Sequence, residues 1–465
     1  MMWLTVWILT SQLTSAAAGE GRPGALDRHP AVAATVQDGA GTPDVGGVTP
    51  RRSNTSHDGG TVRASANSAT ANDVVSNEAI SHLRQWLAMQ TLTDSELAQL
   101  AAEPFSQYAI SGAVAAEALE LIWEARQAAL AVSGQKEFNA REVRLGDLVM
   151  PFWYRVFGEK PEGGRSLYIS MHGGGGAPAR VNDQQYENQK RLYQPDEGIY
   201  LVPRAPGNTS DLWHQGHIDL MFDRLITHMI VRENVNPNRV YLMGYSAGGD
   251  GVYQLAPRMA DRWAAASMMA GHPNESRPEG LRNIGFAIHV GAEDSAYNRN
   301  SVAVQWGQRL TELRQVDPNG YIHHVELHPG RGHWMNLEDA SAVPWMARLT
   351  RNPWPTRVVW HQDDVVHDRF YWLRTRLDTA RAGQLLIASV NHQTIRIEKA
   401  DIAPEALLLH DNLINLDAPI TLVDVDGTTR EIRVKRTIGA IAQTILHRND
   451  PLSAAFSVIP WPFGS

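Results

Sequence analysis

The sequence predicts an α/β protein whose central sheet is mostly parallel and doubly wound, with a helical segment before it and a β-rich segment after it. From Glu142 onward, short apolar runs alternate with stretches of helical periodicity, which is typical of parallel sheets. After Pro355, apolar and polar residues alternate and helical stretches become few, which favours antiparallel strands. The strands predicted for the main sheet lie in the segments VRLGDLVMPFWYRVF, SLYISMH, IYLVP, VYLMG, AAASMMA, GFAIHVG and YIHHVEL.

Changes in composition divide the chain into five predicted segments. Residues 1–18 resemble a signal peptide, because an apolar run from Met2 to Leu9 precedes the small residues Ser15–Ala18. Export to the periplasm or the medium is therefore expected; the alternative is a mis-assigned start followed by a disordered tail. The composition predicts a disordered linker over residues 19–75 and a helical extension over 76–140. It predicts the main α/β domain over 141–354 and a small, sandwich-like β-rich domain over 355–465.

Both flanking segments carry local signals. In the helical extension, Ile80, Leu83, Trp86 and Leu87 recur at helical spacing. Thr93 with Glu96 three residues later predicts a capping box at the start of the next helix. In the C-terminal segment, the pair Asp426-Gly427 predicts a hairpin turn, and IGAIAQTILHR is the best helical stretch.

Overall composition excludes several classes of function. The 465 residues carry a net charge of −8 with both signs interspersed, so nucleic acid is not an expected partner. The chain has no cysteine, which excludes disulfides, thiolate metal sites and a cysteine nucleophile. Apart from the N-terminal segment, no run approaches the roughly 18 apolar residues of a spanning helix, so the mature chain is expected to lack an integral membrane segment.

The segment Gly244-Tyr245-Ser246-Ala247-Gly248-Gly249 predicts a nucleophilic serine. It follows the apolar run VYLM and precedes a helical stretch, which is the setting of a tight strand-to-helix turn. Such a turn requires small residues two positions before and after the serine, here Gly244 and Gly248. The turn would expose the hydroxyl of Ser246 at the end of its strand.

The glycine tract that begins at His172 predicts an oxyanion hole. Acyl transfer needs two N–H donors aimed at the developing negative charge, and glycines let the backbone approach a substrate closely. Gly174, or alternatively Gly173, would supply one N–H group, and Ala247 the other. The tract lacks the Lys-Ser or Lys-Thr pair of a phosphate-binding loop.

An acid and a base follow two later strands. Asp294 and Glu293 both lie after GFAIHV, and Asp294 is the preferred acid. His333 follows YIHHVEL in the segment GRGHW and is the predicted base, with His328 as its nearest competitor. The chain order serine, acid, histidine is the order that the strand-turn-helix serine motif requires.

The motifs HGGGG, GYSAGG, GAED and GRGHW resemble those of α/β-hydrolase esterases of the polyhydroxyalkanoate-depolymerase, feruloyl-esterase and dienelactone-hydrolase type. The resemblance extends over roughly Glu142 to Arg351. It implies an α/β-hydrolase fold, a triad of Ser246, Asp294 and His333, an oxyanion hole at Gly174 and Ala247, and hydrolysis of carboxylic esters without a cofactor.

Other residues are candidates for lining a substrate pocket; they are His172, Trp213, His214, His217, Tyr245, Tyr297, Asn298 and Trp334. His214 and His217 lack a visible third ligand, so no metal site is predicted. The expected substrate is a small or polymeric ester. Three alternatives remain open at this point: a peptidase with the same triad, acyl transfer to another alcohol, and an inert core whose C-terminal segment binds a partner in the cell envelope.

Overall fold

The computed structural model describes residues 71–461, and the side chains from Val74 onward. The predicted signal peptide and nearly all of the predicted linker lie outside the described residues. The first helix begins at Ala71, inside the last five residues assigned to that linker. Within the described part of the chain, no helix has the length and apolar character needed to cross a membrane.

The main sheet has eight strands in the order β1-β2-β4-β3-β5-β6-β7-β8. The first two strands form an antiparallel hairpin within the predicted strand segment VRLGDLVMPFWYRVF, and β2 also runs antiparallel to β4. From β4 through β3 to β8, all neighbouring strands are parallel. The strand bounds are Glu142–Leu145, Leu148–Phe157, Arg165–Met171, Gly198–Pro203, Val235–Tyr245, Ala265–Met269, Gly285–Gly291 and His323–His328. The mixed α/β architecture is as predicted, and this strand order fits the α/β-hydrolase fold.

The helices fall into three groups along the chain. Within residues 71–461, four precede the sheet, five connect or follow its strands, and one lies near the C-terminus. In chain order, α1 to α10 are Ala71–Ala88, Asp94–Ala102, Gly112–Ser133, Gln135–Ala140, Ala179–Gln189, Gly216–Glu233, Ala247–Arg258, Arg299–Val316, Ala342–Ala347 and Ile438–Arg448. Helix α7 starts directly after Ser246, so the serine turn joins β5 to a helix as predicted.

The N-terminal helices pack with their predicted apolar faces inward. In α1, Ile80 and Leu83 are buried, while Trp86 and Leu87 are partly buried against the same core. The predicted capping box is wrong in detail: Thr93 occupies the N-cap position, but its hydroxyl bonds the carboxylate of Glu96 instead of a backbone N–H. The helix therefore starts where the sequence indicated, with a different hydrogen bond.

The C-terminal segment contains two sheets. A five-stranded sheet has the order β16-β15-β13-β12-β9, and a four-stranded sheet has the order β10-β11-β14-β17. The turn at Asp426-Gly427 joins β15 to β16, as predicted. In chain order, β9 to β17 are Arg357–His361, Arg369–Phe370, Leu373–Arg374, Leu385–Asn391, Thr394–Ala400, Ala406–Leu409, Ile420–Val423, Thr429–Ile432 and Ser457–Pro460.

One apolar core continues through all three parts of the described chain, from Ala79 in α1 to Trp461 after β17. A buried ion pair and a hydrogen bond also link these parts. Arg351, after the main sheet, bonds Asp450 at 2.7 Å, and Arg126 of α3 bonds Asn449 at 2.9 Å. The boundaries near residues 140 and 354 remain a prediction, and shared packing across them implies that the flanking segments stabilise the main sheet.

The fully buried carboxylate of Asp450 provides a test of this coupling. Burial alone would raise its pKa, but Arg351 and Arg262 outweigh burial and hold the pKa below its usual range. Asp450→Asn leaves buried arginines without their charge partner and should lower the free energy of unfolding by about 3 kcal/mol at pH 7. Because the folded-state pKa is depressed, this difference should shrink as the pH falls below about 4. Urea unfolding followed by tryptophan fluorescence measures both effects.

Asp378→Asn is the matched control, because Asp378 pairs with Arg376 on the surface. This control should unfold like the parent. Equal stability of the parent and Asp450→Asn at pH 7 would contradict a role for the buried pair.

Candidate active site

Ser246 occupies the turn between β5 and α7 with a strained backbone, at φ 58° and ψ −123°. Its neighbours must be small. A Cβ atom at Gly244 would lie 2.2 Å from the carbonyl oxygen of Gly248, and a Cβ at Gly248 would lie 2.2 Å from that of Met171. Positive φ is uncommon for a residue other than glycine. The packing on both sides of the turn therefore holds Ser246 in this conformation.

The predicted triad residues come together at this turn. Nε2 of His333 lies 3.0 Å from Oγ of Ser246, and Nδ1 of His333 lies 2.8 Å from Oδ2 of Asp294. Asp294 is buried, whereas the side chain of His333 is 44% exposed. A buried carboxylate on Nδ1 fixes the ring orientation and directs Nε2 to the hydroxyl. The arrangement is competent to take the hydroxyl proton during nucleophilic attack.

The two competing residues lie elsewhere. Glu293 is exposed, and its backbone N–H bonds the carbonyl of Arg331 at 2.8 Å. His328 is buried, and its Nε2 lies 3.2 Å from Nδ1 of His289. Asp294 and His333 therefore form the hydrogen-bonded path that ends at Ser246, and Glu293 and His328 are not part of it.

The loop that carries the base is bonded to the rest of the site. The hydroxyl of Tyr245 donates to the carbonyl of His333 at 2.6 Å and accepts the N–H of Met335 at 3.0 Å. A Cβ at Gly291 would lie 2.0 Å from the carbonyl oxygen of Gly332, so the acid and base loops pass each other without an intervening side chain. Tyr245 is buried and holds this loop in place; it is not a pocket residue, which corrects the prediction.

The glycine tract lies beside the serine. A Cβ at Gly173 would be 3.1 Å from Cβ of Ser246, and Gly174 adopts φ 113°, which favours glycine. Ala247 is the first residue of α7, so its N–H has no acceptor one turn earlier in the helix. The helix N-terminus also places a partial positive charge there. These features make the backbone N–H groups of the glycine tract and of Ala247 suitable hydrogen-bond donors to an oxyanion.

Two predicted pocket residues support the tract from below. The indole of Trp213 donates to the carbonyl of His172 at 3.0 Å, and both side chains are fully buried. The N–H of Ala205 donates to Nε2 of His172 at 3.2 Å, which leaves Nδ1 to donate to the carbonyl of Gly173 at 2.6 Å. Burial lowers the pKa of His172 to about 4, so the ring is neutral at pH 7. The prediction that Trp213 and His172 line a pocket is therefore wrong.

The remaining candidates lie nearer the surface. Trp334 is 46% exposed beside His333, and Tyr297 is 76% exposed with Arg299 over its ring. His214 and His217 are partly buried, and burial lowers the pKa of each imidazole. Within residues 71–461, neither histidine belongs to a group of three possible metal ligands. Trp334 and Tyr297 therefore remain the best placed to meet a ligand from solvent.

Asn182 is a supporting residue that the sequence analysis missed. From α5, its buried side chain accepts the N–H of Gly175 at 2.9 Å and donates to the carbonyl of Gly175 at 3.0 Å. It also donates to the side chain of Asn208 at 2.9 Å. In the sequence, Asn182 is only one asparagine in a polar helical stretch. Its contacts with Gly175 and Asn208 depend on how the glycine tract folds over α5.

Comparisons with known proteins add limited information. No family model matches the chain, and no curated protein matches it. Among solved structures, it is similar to a thermostable esterase (17% identity, TM-score 0.35, 45% of this chain and 62% of that one). It is also similar to a ferulic acid esterase (16% identity, TM-score 0.32, 43% of this chain and 93% of that one). A third similar structure is LpqC, a poly(3-hydroxybutyrate) depolymerase from Bordetella parapertussis (15% identity, TM-score 0.34, 45% of this chain and 87% of that one). The chain thus spans less than two thirds of the thermostable esterase, and the proposals below rest on the geometry of its own residues.

Asn182→Ala tests the supporting role. The change leaves the buried N–H of Gly175 without its acceptor, at a cost of about 1–3 kcal/mol, while the carbonyl of Gly175 keeps the N–H of Ala177 at 2.7 Å. We expect a lower melting temperature and slower labelling of Ser246 by a fluorophosphonate, because the loop beside the serine loses its anchor. Asn188→Ala, an exposed change on the same helix, is the control. Identical labelling rates for both variants and the parent would argue against an ordering role for Asn182.

Proposed function

We propose that the protein is a serine hydrolase that cleaves carboxylic esters through an acyl-enzyme intermediate. The observation that carries the proposal is the continuous path from Oγ of Ser246 through His333 to Asp294, with successive distances of 3.0 and 2.8 Å. The strained backbone of Ser246 and the adjacent glycine tract support it, because nucleophilic serines need both exposure and nearby N–H donors. The sheet order supports the α/β-hydrolase fold for this chain.

The proposed reaction has two halves. His333 takes the proton of Ser246 while Oγ attacks the ester carbonyl, and the resulting oxyanion accepts hydrogen bonds from Ala247 and from Gly174 or Gly173. The tetrahedral intermediate collapses, and the alcohol leaves with the proton from Nε2 of His333. Water then attacks the acyl-enzyme with His333 again as base, and release of the acid restores Ser246. Asp294 stabilises the imidazolium that forms on His333. These steps require no cofactor.

The substrate class proposed here is an ester that reaches the site from solvent, either small or part of a polymer. The exposed rings of Trp334 and Tyr297 support this class, because aromatic faces on a site's rim can hold apolar or sugar groups. Export belongs to the same proposal and depends on residues 1–18, so N-terminal sequencing of the protein recovered outside the cytoplasm tests it.

Hydrolysis of short-chain p-nitrophenyl esters tests the nucleophile. The purified parent should turn over these esters, and Ser246→Ala should lose at least about 10⁴-fold in kcat because no acyl-enzyme can form. Ser295→Ala, an exposed serine next to the acid, is the control and should retain activity. Equal rates in the parent and Ser246→Ala would exclude Ser246. Cleavage of peptide amides without ester turnover would favour a peptidase, and no turnover of either substrate would favour an inert core.

A matched pair of variants tests the acid. Asp294→Asn should lower kcat by roughly 10⁴-fold, because the amide favours the wrong imidazole tautomer. Glu293→Gln, one residue away and exposed, should leave kcat within about twofold, since surface changes have small effects. Steady-state kinetics on the same ester would reveal the difference. A larger loss in Glu293→Gln than in Asp294→Asn would reverse the assignment.

A further inference from the structure

A second cluster of ionisable side chains lies on one face of the main sheet, between the strands that precede the acid and the base. In β8, His324, Glu326 and His328 alternate along the strand, so their side chains share one face. His289 of β7 is paired with Glu326 in the parallel register and contributes a fourth group to this face. We call these four residues the histidine cluster.

The distances in the histidine cluster match those between ligands of one metal ion. Oε2 of Glu326 lies 3.3 Å from Nε2 of His324 and 3.6 Å from Nδ1 of His289. Nδ1 of His289 lies 3.2 Å from Nε2 of His328. Ligand atoms of His289, His324 and Glu326 all lie within 4.8 Å of one another. Tetrahedral zinc with bonds of about 2.0–2.1 Å holds its ligands roughly 3.3 Å apart.

The surroundings of the cluster favour a bound cation. Oε2 of Glu338 lies 3.4 Å from Nδ1 of His328, an arrangement in which a carboxylate orients the imidazole and leaves Nε2 free to face the cluster. His289 is fully buried, and its Nδ1 faces Oε2 of Glu326 and Nε2 of His328. A ring nitrogen binds a metal ion through its lone pair, which only the neutral imidazole offers.

We propose that His289, His324 and Glu326, whose ligand atoms lie within 4.8 Å of one another, bind one divalent transition-metal ion of the zinc type. Two imidazoles and a carboxylate suit zinc, whereas magnesium and calcium prefer oxygen ligands. The site lies at the base of both catalytic loops, because β7 ends at Gly291 just before Asp294 and β8 ends at His328 just before His333. The ion would hold these two strands together and would take no part in the ester chemistry.

Zinc binding to the full-length, untagged protein tests the proposal. After dialysis against a chelator, the protein is titrated with Zn²⁺ in competition with a chromophoric chelator, and Co²⁺ provides an absorption spectrum that reports coordination geometry. The parent should bind one ion per chain in a tetrahedral environment. Mg²⁺ should not compete. Zinc should also raise the melting temperature, because a ligand that binds only the folded state stabilises it.

Two substitutions remove ligands without emptying the core. Glu326→Gln preserves the size of a partly exposed side chain, and His324→Asn replaces another partly exposed ligand. Loss of a residue that only hydrogen-bonds a ligand weakens metal binding by about 10- to 100-fold. Each of these two substitutions removes a ligand itself and should weaken zinc binding by more than that. His323→Asn is the matched control: His323 is the adjacent histidine of β8, on the opposite face, where its Nε2 lies 3.1 Å from the hydroxyl of Thr311.

Each outcome decides the proposal. Binding of one ion that is lost in Glu326→Gln and His324→Asn but retained in His323→Asn supports it. Absence of stoichiometric binding by the parent overturns it even if a variant fails to fold. Unchanged binding in both folded ligand variants, verified by circular dichroism, also overturns it. None of these measurements depends on esterase activity.

Discussion

The close approach of three backbone segments at the serine turn is the constraint on which the site depends. Gly248 leaves no room for a side chain against the carbonyl of Met171, at the end of β3, so the start of α7 is fixed relative to the glycine tract. The same helix presses Gly251 against Trp213, whose indole holds the carbonyl of His172. Ser246 and the proposed oxyanion donors are therefore positioned by one continuous set of contacts in the middle of the sheet.

The sequence was informative wherever a local signal determined the structure. The serine turn needs glycines at two fixed positions and a strand and a helix on either side, and all of these are adjacent in the chain. His333 lies in a loop beyond the end of β8, with its Nε2 3.0 Å from Oγ of Ser246, whereas His328 is the strand's last residue. Element order, strand limits and the hairpin at Asp426-Gly427 were predictable for the same reason.

Side-chain environments were less predictable, because they depend on which distant segments meet. Nothing near Trp213 in the sequence indicates that its indole lies under the glycine tract, and Asn182 gives no sign of its bonds to Gly175. The histidine cluster differs, because its alternation along β8 was visible in the segment HHVELH. His214 and His217 are close together in the sequence and stand out as possible ligands, whereas the histidine cluster needs His289 from the neighbouring strand.

Ser246 and His333 are held by different means, and the position of their strands explains why. Ser246 follows β5, an interior strand with neighbours on both sides, and close backbone contacts at Gly244 and Gly248 hold it. His333 follows β8, which within residues 71–461 pairs with β7 alone and forms the edge of the sheet. An edge strand has fewer backbone restraints, so side chains must supply them: Tyr245 bonds the base loop, and the histidine cluster joins β8 to β7 directly below it. These restraints act on the position of His333. An ion in the histidine cluster would therefore change the fraction of molecules in which the proposed triad is aligned. The chemical steps at Ser246 would stay the same.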